Sequence, residues 1–147
     1  EVRFNIDIKT EDALDETIKI VKNMTALNRV CLASFSSSRL ERIRKLAGPE
    51  SCTSSGQMEI FKLMCKSVGI PVDHTPGHCA QVPVSQWGVP VVTKKFIKTA
   101  KSLNKLVHVW TIDDQETMNK LIDLGVDGLM TDKPSILKKA LIARDLF

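Results

Sequence analysis

Asn5, Asp7 and Lys9 alternate with apolar Phe4, Ile6 and Ile8, so a strand over Arg3–Lys9 carries an amide, a carboxylate and an ammonium on one face and packing residues on the other. A carboxylate and an ammonium drawn out of bulk water are costly unless they are paired or bind an ion. A cation would resolve that cost; a polar face left in solvent would need none. Far along the chain, His108 and Trp110 share strand parity within Val107–Ile112. A tryptophan at a strand end offers a ring face to the organic part of a ligand, or anchors a core. His74 and His78 flank Pro76 and Gly77. Imidazoles do acid and base work near neutral pH, but here they read as loop residues. Cys31, Cys52, Cys65 and Cys79 lack the paired spacing of a zinc or redox motif, and read as free thiols of a reducing compartment rather than a disulfide frame.

The elements that would position these residues repeat one plan. After Arg3–Lys9, Thr10 reads as the cap of a helix with Leu14, Ile18, Val21 and Met24 on one face. Val30–Phe35 is a second strand, followed by Ser38 and Glu41 as a capping box before Leu40, Ile43 and Leu46. Ser51–Ser54 is a short third strand, and Met58, Phe61, Met64 and Val68 form the expected buried face of the next helix. Cys79–Val84, Val107–Ile112 and Gly128–Thr131 are further strands, with Ser85–Pro90 rich in turn residues and Thr93 capping the helix between the first two. Asp113 with Glu116 reads as a capping box, Gly125 as the end of that helix, and Asp132 as the cap of a last helix at Ser135–Leu146. About six alternating strand and helix units predict a parallel sheet, either open and doubly wound or barrel-like.

Composition narrows the class. The 147 residues are 43% hydrophobic, enough for one sizeable core. A net charge of +4, from 21 basic and 17 acidic residues spread along the chain, is too mild to point to nucleic acid. No stretch reaches the roughly 18 apolar residues of a membrane span.

Three groups of residues then add up to a resemblance. Trp110 and Thr111, followed by Gly125, Val126, Asp127 and Gly128 and then Thr131 and Asp132, resemble the closing signature of the glycerophosphodiester phosphodiesterases. Asn5, Ile6, Asp7, Ile8 and Lys9 resemble that family's metal strand, in which a glutamate ordinarily stands where this chain has Asp7. Ser34 and Phe35 resemble its Ser-Phe strand end, and the motifs occur in family order.

The resemblance implies a TIM (β/α)8 barrel of the phosphodiesterase type, with residues 1–147 forming the C-terminal portion of the domain, its last six β/α units. It implies metal-dependent hydrolysis of glycerophosphodiesters to sn-glycerol 3-phosphate and an alcohol. Asp7 would be a ligand to Mg²⁺ or Ca²⁺ acting as a Lewis acid on the phosphoryl oxygen, Lys9 would contact the phosphate, and Trp110 would pack on the glycerol or alcohol part. The family's His-Arg-Gly strand, its Glu and Asp strand and its second catalytic histidine have no counterpart here, so no catalytic residue is expected in this chain and, alone, it is expected to be inactive. The alternatives are a lysophospholipase D-type phosphodiesterase on the same fold, or a non-catalytic module lacking the histidine pair. The expected partners are a small glycerophosphodiester and either a second copy or a complementing N-terminal segment, with no nucleic acid and a cytoplasmic setting.

Overall fold

The computed structural model describes residues 2–73 and 75–147; the loop reading of His74 lies outside them. The order is β1 (Phe4–Asp7), α1 (Asp12–Asn23), β2 (Val30–Ala33), α2 (Ser37–Ala47), β3 (Cys52–Thr53), α3 (Gln57–Ser67), β4 (Cys79–Val82), a short hairpin of β5 (Ser85–Gln86) and β6 (Val89–Pro90), α4 (Lys94–Ser102), β7 (Leu106–Val109), α5 (Gln115–Leu124), β8 (Gly128–Leu129) and α6 (Pro134–Ile142). The alternation expected from the sequence is present, with strands shorter than their apolar runs and a hairpin within the turn-rich Ser85–Pro90.

β1, β2 and β3 pair in parallel in that order, as do β4, β7 and β8, and a parallel bridge from Ser54 to Cys79 joins the two sets. Such a sheet has every strand's C-terminal end at one rim, the end from which each helix connection departs. The sheet is also strongly rolled. β1 and β4 stand three strand spacings apart, about 14 Å if flat, yet Gln81 Nε2 of β4 donates to Asn5 Oδ1 of β1 at 2.8 Å. The polar parity of β1 therefore faces the concave side, as alternation predicts, and the apolar parity faces the helices.

Two apolar clusters lie between sheet and helices. One gathers Ile8, Leu14, Ile18, Leu32, Leu40 and Ile43; the other gathers Leu63, Val82, Phe96, Val107, Val109 and Met118. The face of α3 differs from expectation: Met58, Phe61 and Val68 are exposed, whereas Glu59 and Leu63 are buried. Glu59 turns inward because Arg44 of α2 reaches it with two bonds, at 2.6 and 3.1 Å. An ion pair has thus displaced the apolar stripe.

Several caps also move. Ser36, not Ser38, caps α2 by accepting from Arg39 N–H. α1 begins after Glu11 without a side-chain cap from Thr10, and Asp114, not Asp113, accepts from Thr117 N–H to cap α5. Each competing residue is a good capper within two positions of the true start, and the chain path selects among them. Thr93 caps α4 as expected, and Gly125 closes α5 in the left-handed region at φ +90°.

Candidate active site

The concave rim is assembled from strand ends. Beyond β1, the Ile8 N–H donates to Ala33 O at 2.8 Å, and the Ile8 carbonyl accepts from Ser34 Oγ at 2.8 Å and Arg39 Nη1 at 3.2 Å. Arg39 is itself held by Glu11 at 2.9 Å. Asp7 and Lys9 therefore extend from either side of a pinned residue, on the concave parity, and both are exposed. Across the rim Phe35, past β2, meets Trp110, past β7, edge to face with ring centroids 5.6 Å apart. Those strands too are three spacings apart, so rolling creates the pair. The Trp110–Thr111 peptide is cis.

Asp113 accepts from Thr131 Oγ at 2.9 Å and from the Asp132 N–H at 2.8 Å, tying together the loops that follow β7 and β8. Asp132 does not cap α6, whose start carries no side-chain cap; Thr131 Oγ instead accepts from the Lys133 N–H. The reason is position: α6 starts at Pro134 with Lys133 at the N-cap, so Asp132 stands one residue too early.

Below the rim, the concave wall carries a cluster that no sequence spacing announces. Cys31 Sγ lies 3.5 Å from Cys79 Sγ, Gln81 Nε2 donates to Cys79 Sγ at 3.6 Å, and Cys52 is the register partner of Cys31. The His108 ring lies against Gly128, where a Cβ would come within 2.9 Å of it. The bond from Cys31 draws the Cys79 thiol down to about 5 despite its burial, with help from His108 and Gln81. Bonding to Cys52 and Cys79, together with burial, pushes the Cys31 thiol up. Cys31 has one proton for two thiol neighbours, and Cys79 has the further donors, so Cys79 is the more readily ionised of the two and Cys31 the one that holds its proton. The Cys79 bond raises the imidazole of His108 against its burial. All four cysteines are free thiols, as the sequence suggested. His108 is thus engaged with Cys79.

The opposite end is built differently. Lys105 is buried and donates to the carbonyls of Thr75, Pro76 and Gly77. Burial lowers its ammonium pKa. His78 sits there, accepting from the Thr53 N–H at 3.3 Å, beside a cavity of about 450 Å³. It is therefore remote from Asp7 and Trp110 by a full strand length.

A divalent cation needs several oxygen ligands. Asp7 is a single carboxylate, and among the described residues no group of three or more His, Cys, Asp or Glu side chains is arranged to hold a metal. The residues present do not by themselves form a metal centre.

Residues 3–136 match the model of the Glycerophosphoryl diester phosphodiesterase family. The chain belongs to this family. A probable glycerophosphodiester phosphodiesterase 2 of Mycobacterium tuberculosis is 32% identical over 154 residues, covering 98% of this chain and 56% of the relative. A glycerophosphodiester phosphodiesterase structure from Parabacteroides distasonis superposes with a TM-score of 0.74 at 25% identity, over 97% of this chain and 58% of that one. A putative glycerophosphoryl diester phosphodiesterase from Silicibacter pomeroyi gives 0.73 at 20% identity, over 98% and 51%. The chain therefore spans about half the length of the relatives it matches. These likenesses establish a TIM-barrel-type α/β fold. Within this family fold, sequence reading named Asp7, Lys9 and Trp110 and missed the Ser34–Arg39 clamp, the Asn5–Gln81 bridge and the thiol cluster. Parity would have placed Asn5, Cys31, Cys79, Gln81 and His108 on one wall; only the rolling of the sheet brings them into contact.

Proposed function

We propose that the complete domain containing this chain hydrolyses glycerophosphodiesters to sn-glycerol 3-phosphate and an alcohol, and that residues 1–147 form its C-terminal six β/α units. Lys9 binds the phosphate, Trp110 with Phe35 packs on the glycerol or alcohol part, and Asp7 contributes one oxygen ligand to a Mg²⁺ or Ca²⁺ whose other ligands lie outside the described residues. The observation that carries this reading is the rim: an exposed carboxylate and ammonium around the pinned Ile8 carbonyl, across from an aromatic pair. An ammonium there attracts a phosphodiester anion, and the ring faces shield its organic substituent from water. The described histidines are placed elsewhere, one against Cys79 and one at the far end, which supports an acid and base supplied from outside the described residues and an inactive isolated chain.

The test is release of sn-glycerol 3-phosphate from glycerophosphocholine by the complete domain. Lys9→Met is expected to raise KM, and Asp7→Asn to weaken calorimetric Mg²⁺ and Ca²⁺ affinity with little change in the unfolding of the metal-free protein. Unchanged metal affinity would remove Asp7 from the ligand set, and metal-dependent turnover by residues 1–147 alone would overturn the division of labour.

The exposed apolar groups at the rim favour a second reading, a lysophospholipase D-type activity, since Phe35 is 54% exposed beside Trp110. Preference for a diester carrying an acyl chain over glycerophosphocholine would select it.

A further inference from the structure

The hairpin after β4 carries a residue that its own fold does not explain. Trp87 and Gly88 form the tip with φ of +50° and +79°, and β5 and β6 are closed at the base by Val91 and Val92 N–H groups donating to Val84 O. Such a tip ordinarily takes Asn, Asp or Gly, because left-handed backbone strains a bulky side chain. Here it carries a tryptophan that is 93% exposed.

Its surroundings are of one kind. The hairpin leaves the C-terminal end of β4, at the same rim as Asp7 and Trp110, and Val84 and Val89 on it are exposed. The first turn of α3 adds exposed Met58 at this rim, and the first two turns of α4 add exposed Lys94, Lys95 and Lys98. No carboxylate occurs in the rim segments 54–57 and 83–95. The acidic residues of the rim, Asp7, Glu11, Asp12, Asp113, Asp114, Glu116 and Asp132, belong instead to the ends of β1, β7 and β8 and the connections that follow them. One sector is therefore apolar and basic, with an indole at its most protruding point.

We propose that this sector docks the protein on an anionic lipid bilayer, with Trp87 seated at the headgroup level and Lys94, Lys95 and Lys98 over anionic headgroups. Indole, apolar body and polar N–H together, suits that interface, and lysines near it are drawn to the negative surface potential. A protein partner would bury the lysines only against matching acids; a bilayer needs none. The docking positions the rim toward the membrane and is independent of which diester is cleaved.

The experiment is co-sedimentation with phosphatidylcholine vesicles with and without phosphatidylglycerol, without substrate, alongside tryptophan emission. The protein is expected to bind the anionic vesicles, more weakly as salt rises, with a blue shift in emission that Trp87→Phe abolishes; Trp110, the other tryptophan, remains as an internal reference. Trp87→Ala is expected to lower partitioning about tenfold, and Lys94→Gln and Lys95→Gln about fivefold each. These positions are exposed, so circular dichroism should remain unchanged. Absence of vesicle binding, equal binding to neutral and anionic vesicles, or a Trp87-dependent dimer in sedimentation without vesicle binding would each overturn the proposal; the last would assign the sector to a second copy.

Discussion

Glu59→Gln isolates the interaction that turns α3 inward. Glu59 accepts from Arg44 Nη1 and Nη2 at 2.6 and 3.1 Å and from the Gly56 N–H at 3.1 Å, while Arg44 also donates to Thr53 Oγ at 3.0 Å and to Ser54 O at 2.9 Å. The side chains are only 19% and 10% exposed. Glutamine keeps the shape but turns one oxygen into an amide donor facing a guanidinium. Removing one partner of a buried pair costs about 3–5 kcal/mol. Arg44 keeps its bonds to Thr53 and Ser54 and some contact with water, so about 2–3 kcal/mol is expected here. For a chain of this size that lowers Tm by roughly 5–10 °C. Urea and heat unfolding followed by circular dichroism would measure it. Arg44→Met with Glu59→Leu should recover little of the loss, because the Thr53 hydroxyl, the Ser54 carbonyl and the Gly56 N–H would then be left buried without their partners. A loss below about 0.5 kcal/mol for Glu59→Gln, the range of an exposed pair, would refute the argument that this pair holds α2, α3 and the end of β3 together.

The thiol cluster makes a second prediction. With Cys79 lowered to about 5 from 9.0, its contribution to stability is complete above the unfolded value and lost as pH falls through the folded one. Compared in a His108→Asn background, which removes the imidazole's own titration, the chain with Cys79 should gain stability relative to Cys79→Ala as pH rises from about 5 to about 7; parallel curves would refute the lowered thiol. In Cys79→Ala with His108 retained, the His108 titration, followed by NMR, should fall, since burial alone lowers it; an unchanged titration would place its cause elsewhere. The outer sides of β1 and β8 are unpaired among the described residues, and such edges recruit strands. Purified residues 1–147 should therefore sediment above 16.4 kDa, and a compact monomer with cooperative unfolding would show the edges to be covered otherwise.

What the sequence determined by itself was periodic and local. Alternation in Phe4–Asp7 set which side chains share a face, because a strand turns by two residues whatever it packs against, and Gly125 closed α5 because left-handed backbone suits glycine. The motifs around Asp7, Ser34 and Trp110 carried the family for the same reason: each lies within one strand end and its loop. Choices between near-equivalent local solutions were not determined in this way. Ser36 against Ser38, Asp114 against Asp113, and the Glu59–Leu63 face of α3 against Met58–Phe61 were decided by partners distant in sequence. The concave wall depended wholly on tertiary structure. Asn5 and Gln81, Cys31 and Cys79, and Phe35 and Trp110 meet because the parallel sheet rolls, bringing strands two or three spacings apart within bonding reach. That curvature arises from the twist and packing of the whole sheet, and no spacing along the chain encodes it.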